Sequence, residues 1–174
     1  MGLDHLIFQL GFGKGHEHVY RTILEWRGES RLPVFAEEFA KGTGSRSERQ
    51  ELWAAFTAGA TAGTGSHVAH LNRFVGRTGF YRLDVRNDLR TGGGPAYVLA
   101  APGEEYVVYL PEGGSVRLQI EVGDRELDVE WYDPGTGALI SGGRIPVGGQ
   151  LEFAPPRDPD NDWVLHIRGP SGRS

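Results

Sequence analysis

The sequence predicts a chain in two parts, an α/β unit with a parallel sheet followed by a small antiparallel β-sandwich. Three observations carry the prediction. Up to about residue 74, short apolar runs alternate with stretches of helical periodicity. Beyond Pro95 the pattern becomes short strands of alternating polarity. Glycine makes up 27 of the 174 residues, about twice its usual share of roughly 7%, and the excess falls at the turns between these elements.

In the first part, residues 3–10 (LDHLIFQL) form a nearly unbroken apolar run that suits a strand covered on both faces. The glycine-rich turn GFGKG follows. Residues 16–26 then space Val19, Ile23 and Trp26 three or four apart, with Tyr20 and Leu24 beside them, which predicts an amphipathic helix ending before Gly28. Pro33 opens a second strand, PVFAEEF. After the turn KGTGS, residues 47–58 predict a second helix with Leu52, Ala55, Phe56 and Gly59 along its apolar face, and Ser47 with Gln50 as a capping box. A third, weaker strand falls in residues 65–71. The order β, α, β, α, β with short connections argues for parallel pairing.

The second part reads as six strands, at 96–100, 105–110, 115–122, 126–132, 150–153 and 163–168, with a weaker one at 138–140. Val116, Leu118, Ile120 and Val122 alternate with Arg117, Gln119 and Glu121, so one face is buried and the other wet. Leu127, Val129 and Trp131 repeat the pattern, which places Trp131 in the core and makes Tyr132 the more exposed aromatic. The segments PEGG, VGD, DPGTG and VGG supply the turns. The divisions are residues 1–75 for the α/β part, 76–95 for a linker or first sandwich strand, and 96–174 for the sandwich.

Charge and composition exclude several functions. Eighteen Lys and Arg against 23 Asp and Glu give a net charge of −5 without a basic cluster, so no nucleic-acid partner is expected. With no apolar run near 18 residues, no membrane span is expected either. The absence of cysteine removes disulfides, thiolate metal sites and a cysteine nucleophile. Residues 1–10 lack a basic segment ahead of their apolar run, so no signal peptide is read and the chain as written stays in the cytoplasm. A complete (β/α)8 barrel needs roughly 200 residues or more, which exceeds this length.

Taken in order, LDHLIFQLGFG, PVFAEEF and ELWAAFTAGATAGTG resemble the C-terminal part of apiosidase-like glycoside hydrolases, in which a TIM-barrel catalytic domain precedes a small β-sandwich. The tail resembles that sandwich, which the family labels collagen-binding, through YVLAAPGEEYVVYLPEGGSVRLQIE, VEWYDPGTGALISGG and LEFAPPRDPDNDWVLHI. The resemblance implies a partial TIM barrel made of the last βα units, with strands at 3–10, 33–38 and about 65–71 as barrel strands six to eight. It also implies that the first five strands and the acid/base carboxylate lie before Met1. The partners it implies are a carbohydrate substrate or ligand and the missing N-terminal barrel portion. Parallel strands with open edges also predict self-association.

Glu37 and Glu38 end a parallel strand, where α/β enzymes place catalytic groups, and side-chain alternation lets only one of them face the site. The resemblance to the PVxxxEF pattern of retaining glycosidases selects Glu38 as nucleophile, with Glu37 as the fallback. Gln9, Phe12 and His16, at the end of the preceding strand and in its turn, are expected to line a sugar site, with His67 as a further substrate contact. GFGKG lacks the spacing and the Ser/Thr of a phosphate loop. His16 and His18 project about 200° apart on a helix, which argues against chelation. The run Asp158-Pro-Asp-Asn-Asp162 reads as an Asp/Asn turn rather than a calcium loop. No metal and no cofactor are expected.

Overall fold

The computed structural model describes residues 6–9, 13–30, 34–37, 44–62, 67–121, 126–146 and 148–169. The chain divides into two compact units, Met1–Arg77 and Thr78–Ser174.

The first unit runs β1 (Leu6–Gln9), α1 (His16–Ser30), β2 (Val34–Glu37), α2 (Arg46–Thr57), β3 (Thr61–Ala62) and α3 (Val68–Val75). Its three strands pair in parallel in the order β1-β2-β3. Val19, Tyr20 and Ile23 of α1 are buried at the predicted spacing, but the helix continues through Gly28 to Ser30. The cap of α2 also sits earlier than predicted. Ser45, not Ser47, is the N-cap, its hydroxyl accepting the Glu48 N–H at 3.2 Å, while Glu48 Oε2 accepts the Gly44 N–H at 2.9 Å. The third strand was expected over residues 65–71, of which 65 and 66 lie outside the described residues; residues 68–71 belong instead to the helix Val68–Val75. Leu71 and Phe74, three apart, are its buried residues, the spacing of a helical face. Trp53, Phe56 and Phe74 meet edge to face, with Trp53 and Phe74 centroids 5.2 Å apart, and lock α2 to α3.

The second unit holds β4 (Asp84–Val85), β5 (Arg90–Gly93), β6 (Tyr97–Ala101), β7 (Glu105–Leu110), β8 (Val116–Ile120), β9 (Leu127–Tyr132), β10 (Leu139–Ile145), β11 (Gly149–Phe153) and β12 (Trp163–Arg168). They form a six-stranded sheet, β10-β9-β12-β7-β6-β4, and a three-stranded one, β11-β8-β5, each antiparallel between its paired neighbours. Single 3-10 turns, Phe80–Arg82 and Asn87–Leu89, flank β4. Val98, Tyr106, Val108, Leu110, Val116, Leu118, Ile120, Val129, Trp131, Trp163, Leu165 and Ile167 all belong to one core. β8 alternates buried and exposed as expected. β7 is buried at every position and β12 at five of six, so both faces of these central strands are covered.

This architecture corrects the expectation of a partial TIM barrel. Nine of the twelve described strands lie in antiparallel sheets, and the three parallel strands, of four, four and two residues, form a separate open sheet. Barrel closure needs strands tilted and staggered against neighbours on both sides. The same apolar runs are accommodated here by a short sheet with its own helices, and the chain is dominated by the β-sandwich.

One glycine fixes the sandwich's long loop. Gly113 adopts φ +73, and a Cβ on it would run into the backbone carbonyls of Pro159 and Asn161, while the next N–H, of Gly114, donates to Pro159 O at 2.7 Å. Gly113→Ala is expected to lower stability by about 2 kcal/mol. Urea denaturation followed by circular dichroism checks this, and an unchanged midpoint would refute it.

Candidate functional site

Because β1, β2 and β3 run parallel, the connections after them all leave from one edge of the sheet, the place where open α/β sheets take ligands. Gln9 and Glu37 close β1 and β2 there as Cα partners in the parallel register. Helices α1 and α2 follow β1 and β2 in the chain, so the connections leaving this edge lead into their positive N-terminal ends.

Side chains from the helices hold the described parts of these connections. Gly13 and Gly15 adopt φ +66 and +84, and Glu51 of α2, only 1% exposed, accepts the Gly15 N–H at 2.7 Å. The Gly15 carbonyl in turn accepts the Val19 N–H in the first turn of α1. His67, the N-cap of α3, puts Nε2 3.1 Å from the Gly44 carbonyl, which can only accept, so Nε2 carries the proton. The connections after β1 and β2 are thereby tied to α2 and to the start of α3.

Of the residues singled out from sequence, Gln9 and Glu37 come together at the strand ends, and His16 opens α1. His67 is drawn to the loop before α2, with its ring 6.5 Å from that of His70. Glu38 and Phe12 lie outside the described residues, as do the side chains of Gln9 and Glu37. Glu48 and Glu51 were missed by the sequence reading. Both are buried and both accept backbone N–H groups, which commits them to holding loops. Among the described residues, no three His, Asp or Glu side chains gather as a metal site requires.

The sandwich yields one correction and one unforeseen network. Tyr132 is 0% exposed, so it is no surface platform; alternation places it on the same face of β9 as the half-buried Asp128 and Glu130, and it is buried there nonetheless. In the acidic run, Asp158 adopts φ 42, its carbonyl accepts the Trp163 Nε1–H at 3.2 Å, and Asp162 Oδ2 accepts from the Tyr109 hydroxyl at 3.2 Å. The network joins β7 to β12. His166 Nε2 lies 2.8 Å from Glu105 Oε1 with side chains 0% and 8% exposed, and the Gly79 N–H donates to Glu105 Oε2 at 2.9 Å. His166 Nδ1 is 3.8 Å from Glu130, which also pairs with Arg168 at 3.5 Å. Burial disfavours the Glu105 carboxylate, but the His166 hydrogen bond and the Gly79 N–H outweigh it and hold this carboxyl below its ordinary range.

Comparison with known proteins places these units. Residues 88–168 match the family described as "Putative collagen-binding domain of a collagenase", a span that runs from just before β5 through β12. No curated protein sequence matches the chain. Among solved structures, a glycoside hydrolase family 5 protein from Bacteroides vulgatus superposes with a TM-score of 0.80 at 13% identity, over 95% of this chain and 51% of that one. A second, described as a glycoside hydrolase, superposes with a TM-score of 0.76 at 16% identity, over 97% of this chain and 53% of that one. The chain spans about half the length of these two structures. The structural neighbours are glycoside hydrolases, and the likeness at this identity is one of fold.

Proposed function

We propose that this chain is a carbohydrate-engaging section of a glycoside-hydrolase-like protein, of the apiosidase-like kind, acting on complex polysaccharide, and that by itself it binds rather than cleaves. The observation that carries the reading is the fold likeness along 95% of the chain to about half of a glycoside hydrolase structure. Cleavage of a glycosidic bond needs two carboxyl groups astride it, about 5–5.5 Å apart for retention and about 6.5–9.5 Å for inversion. Glu48 and Glu51 are occupied by backbone N–H groups. The resemblance of PVFAEEF to the strand end of retaining glycosidases assigns one catalytic group to the strand-end pair, Glu38 as nucleophile or Glu37 in its place, with Gln9, Phe12, His16 and His67 lining the sugar. The second carboxyl then comes from elsewhere in the larger protein. The family match over residues 88–168 favours a second reading, in which the sandwich is a module for a collagen-like ligand.

Affinity electrophoresis of the whole chain in gels containing xyloglucan, hydroxyethylcellulose or arabinogalactan separates the two. Retardation by at least one polysaccharide, with no reducing sugar released, is the expected result. Co-sedimentation with fibrillar collagen and no retardation in any gel would transfer the assignment to the second reading. In the larger protein that supplies the second carboxyl, hydrolysis that survives both Glu38→Gln and Glu37→Gln would remove the catalytic assignment.

A further inference from the structure

Within Thr78–Ser174, the rings of Tyr97, Tyr106, Tyr109, Trp131, Tyr132, Phe153 and Trp163 are all buried. Tyr81 is 87% exposed. It sits in the middle of the 3-10 turn Phe80–Arg82, where nothing in the core requires an aromatic ring. Single exposed aromatics are common on protein surfaces, but two features set this one apart.

The first is its mounting. Gly79, which opens the turn, donates its N–H to the buried Glu105 carboxylate at 2.9 Å and accepts the Arg82 N–H at 2.7 Å, and the Leu83 N–H closes onto Phe80 O at 3.1 Å. Glu105 is in turn held by His166 at 2.8 Å, and Leu83 is buried. The backbone that carries Tyr81 is thus fixed to the centre of the six-stranded sheet, so a ligand on the ring has little order to impose. The second feature is the company of the ring. The Arg82 guanidinium lies over one face of the ring, 5.7 Å from its centroid, so the exposed opposite face is the one open to a ligand, and the guanidinium pairs with Glu104 at 3.2 Å, both charged side chains more than half exposed. An aromatic face beside a planar donor set and a carboxylate acceptor is what a sugar ring needs, its C–H face on the π-surface and its hydroxyls on the charged pair. The pair is balanced in charge, which suits a neutral glycan over an acidic one.

We infer that Tyr81, with Arg82 and Glu104 beside it, is a stacking site for a neutral polysaccharide chain. The inference rests on the carbohydrate reading above and adds to it a place and a ligand class. The test is affinity electrophoresis of the whole chain in xyloglucan and hydroxyethylcellulose, comparing wild type with Tyr81→Ala and Tyr81→Trp. Tyr81→Ala is expected to weaken binding about tenfold and Tyr81→Trp to preserve it, with the thermal midpoint unmoved in both because the ring packs against so little. Wild-type retardation that Tyr81→Ala leaves unchanged overturns this site and leaves the carbohydrate reading standing. No retardation of the wild-type chain by either polysaccharide overturns the site together with the neutral-glycan reading.

Discussion

Trp163→Ala is expected to destabilise the sandwich by about 3–5 kcal/mol, the range for removing a fully buried tryptophan. Trp163 opens β12 and is 0% exposed. Its ring meets Trp131 of β9 edge to face, with centroids 6.3 Å apart, and Nε1 donates to Asp158 O at 3.2 Å. Truncation therefore opens a large cavity beside Trp131 and releases the 158–162 loop. The Arg157 guanidinium, 5.8 Å from the ring centroid, also loses its seat.

Trp163→Phe separates the two contributions. It keeps a ring in the core and removes only the indole donor; Asp158 O still accepts the Asn161 N–H at 2.9 Å. The expected cost is nearer 1 kcal/mol. Native-state hydrogen exchange of the β7, β9 and β12 amides reads the sandwich apart from the first unit. Alanine and phenylalanine variants of equal cost would mean that the indole hydrogen bond, and not packing, dominates at this position.

The sandwich was more legible in the sequence than the candidate site, and the reason is range. Strand β8 announces itself because Val116, Leu118 and Ile120 alternate with Arg117 and Gln119 within five residues. The same alternation correctly put Trp131 inside, and it misled at Tyr132, because a period of two says which residues share a face and not whether the second face is covered. Residues 68–71, expected as part of a strand, are helical for a related reason: the segment is too short to show a period by itself, and Phe74, the residue that completes the helical spacing with Leu71, lies just beyond it. The contacts that hold the first unit's loops and the sandwich's central strands are long-range. Glu51 reaches Gly15 across 36 residues and His166 reaches Glu105 across 61, and no local pattern announces either pair. The barrel expectation failed at the same scale, since short apolar runs specify strands and parallel pairing but not closure.

The second large effect is that of Glu105, where charge rather than volume is at stake. Glu105→Ala removes the acceptor of both the His166 Nε2–H and the Gly79 N–H in a site with little solvent access, and breaking a buried pair from one side costs about 3–5 kcal/mol. Glu105→Gln keeps the volume and one acceptor oxygen but cannot be ionised, so a smaller loss of about 1.5–3 kcal/mol is expected at neutral pH. The pH dependence identifies the cause. Folding holds the Glu105 carboxyl below its ordinary value of 4.5, so the unfolded chain takes up the proton first on acidification. The stabilisation is therefore complete above about pH 4.5 and drains away as pH falls through the lowered value. Urea midpoints of wild type and Glu105→Gln, measured from neutral pH down to about pH 3, should differ by a constant amount at first and then converge. A difference that persists undiminished at the acid end would show that Glu105 acts there as a neutral hydrogen-bond acceptor, and the charge-based account of the β7–β12 pair would fail.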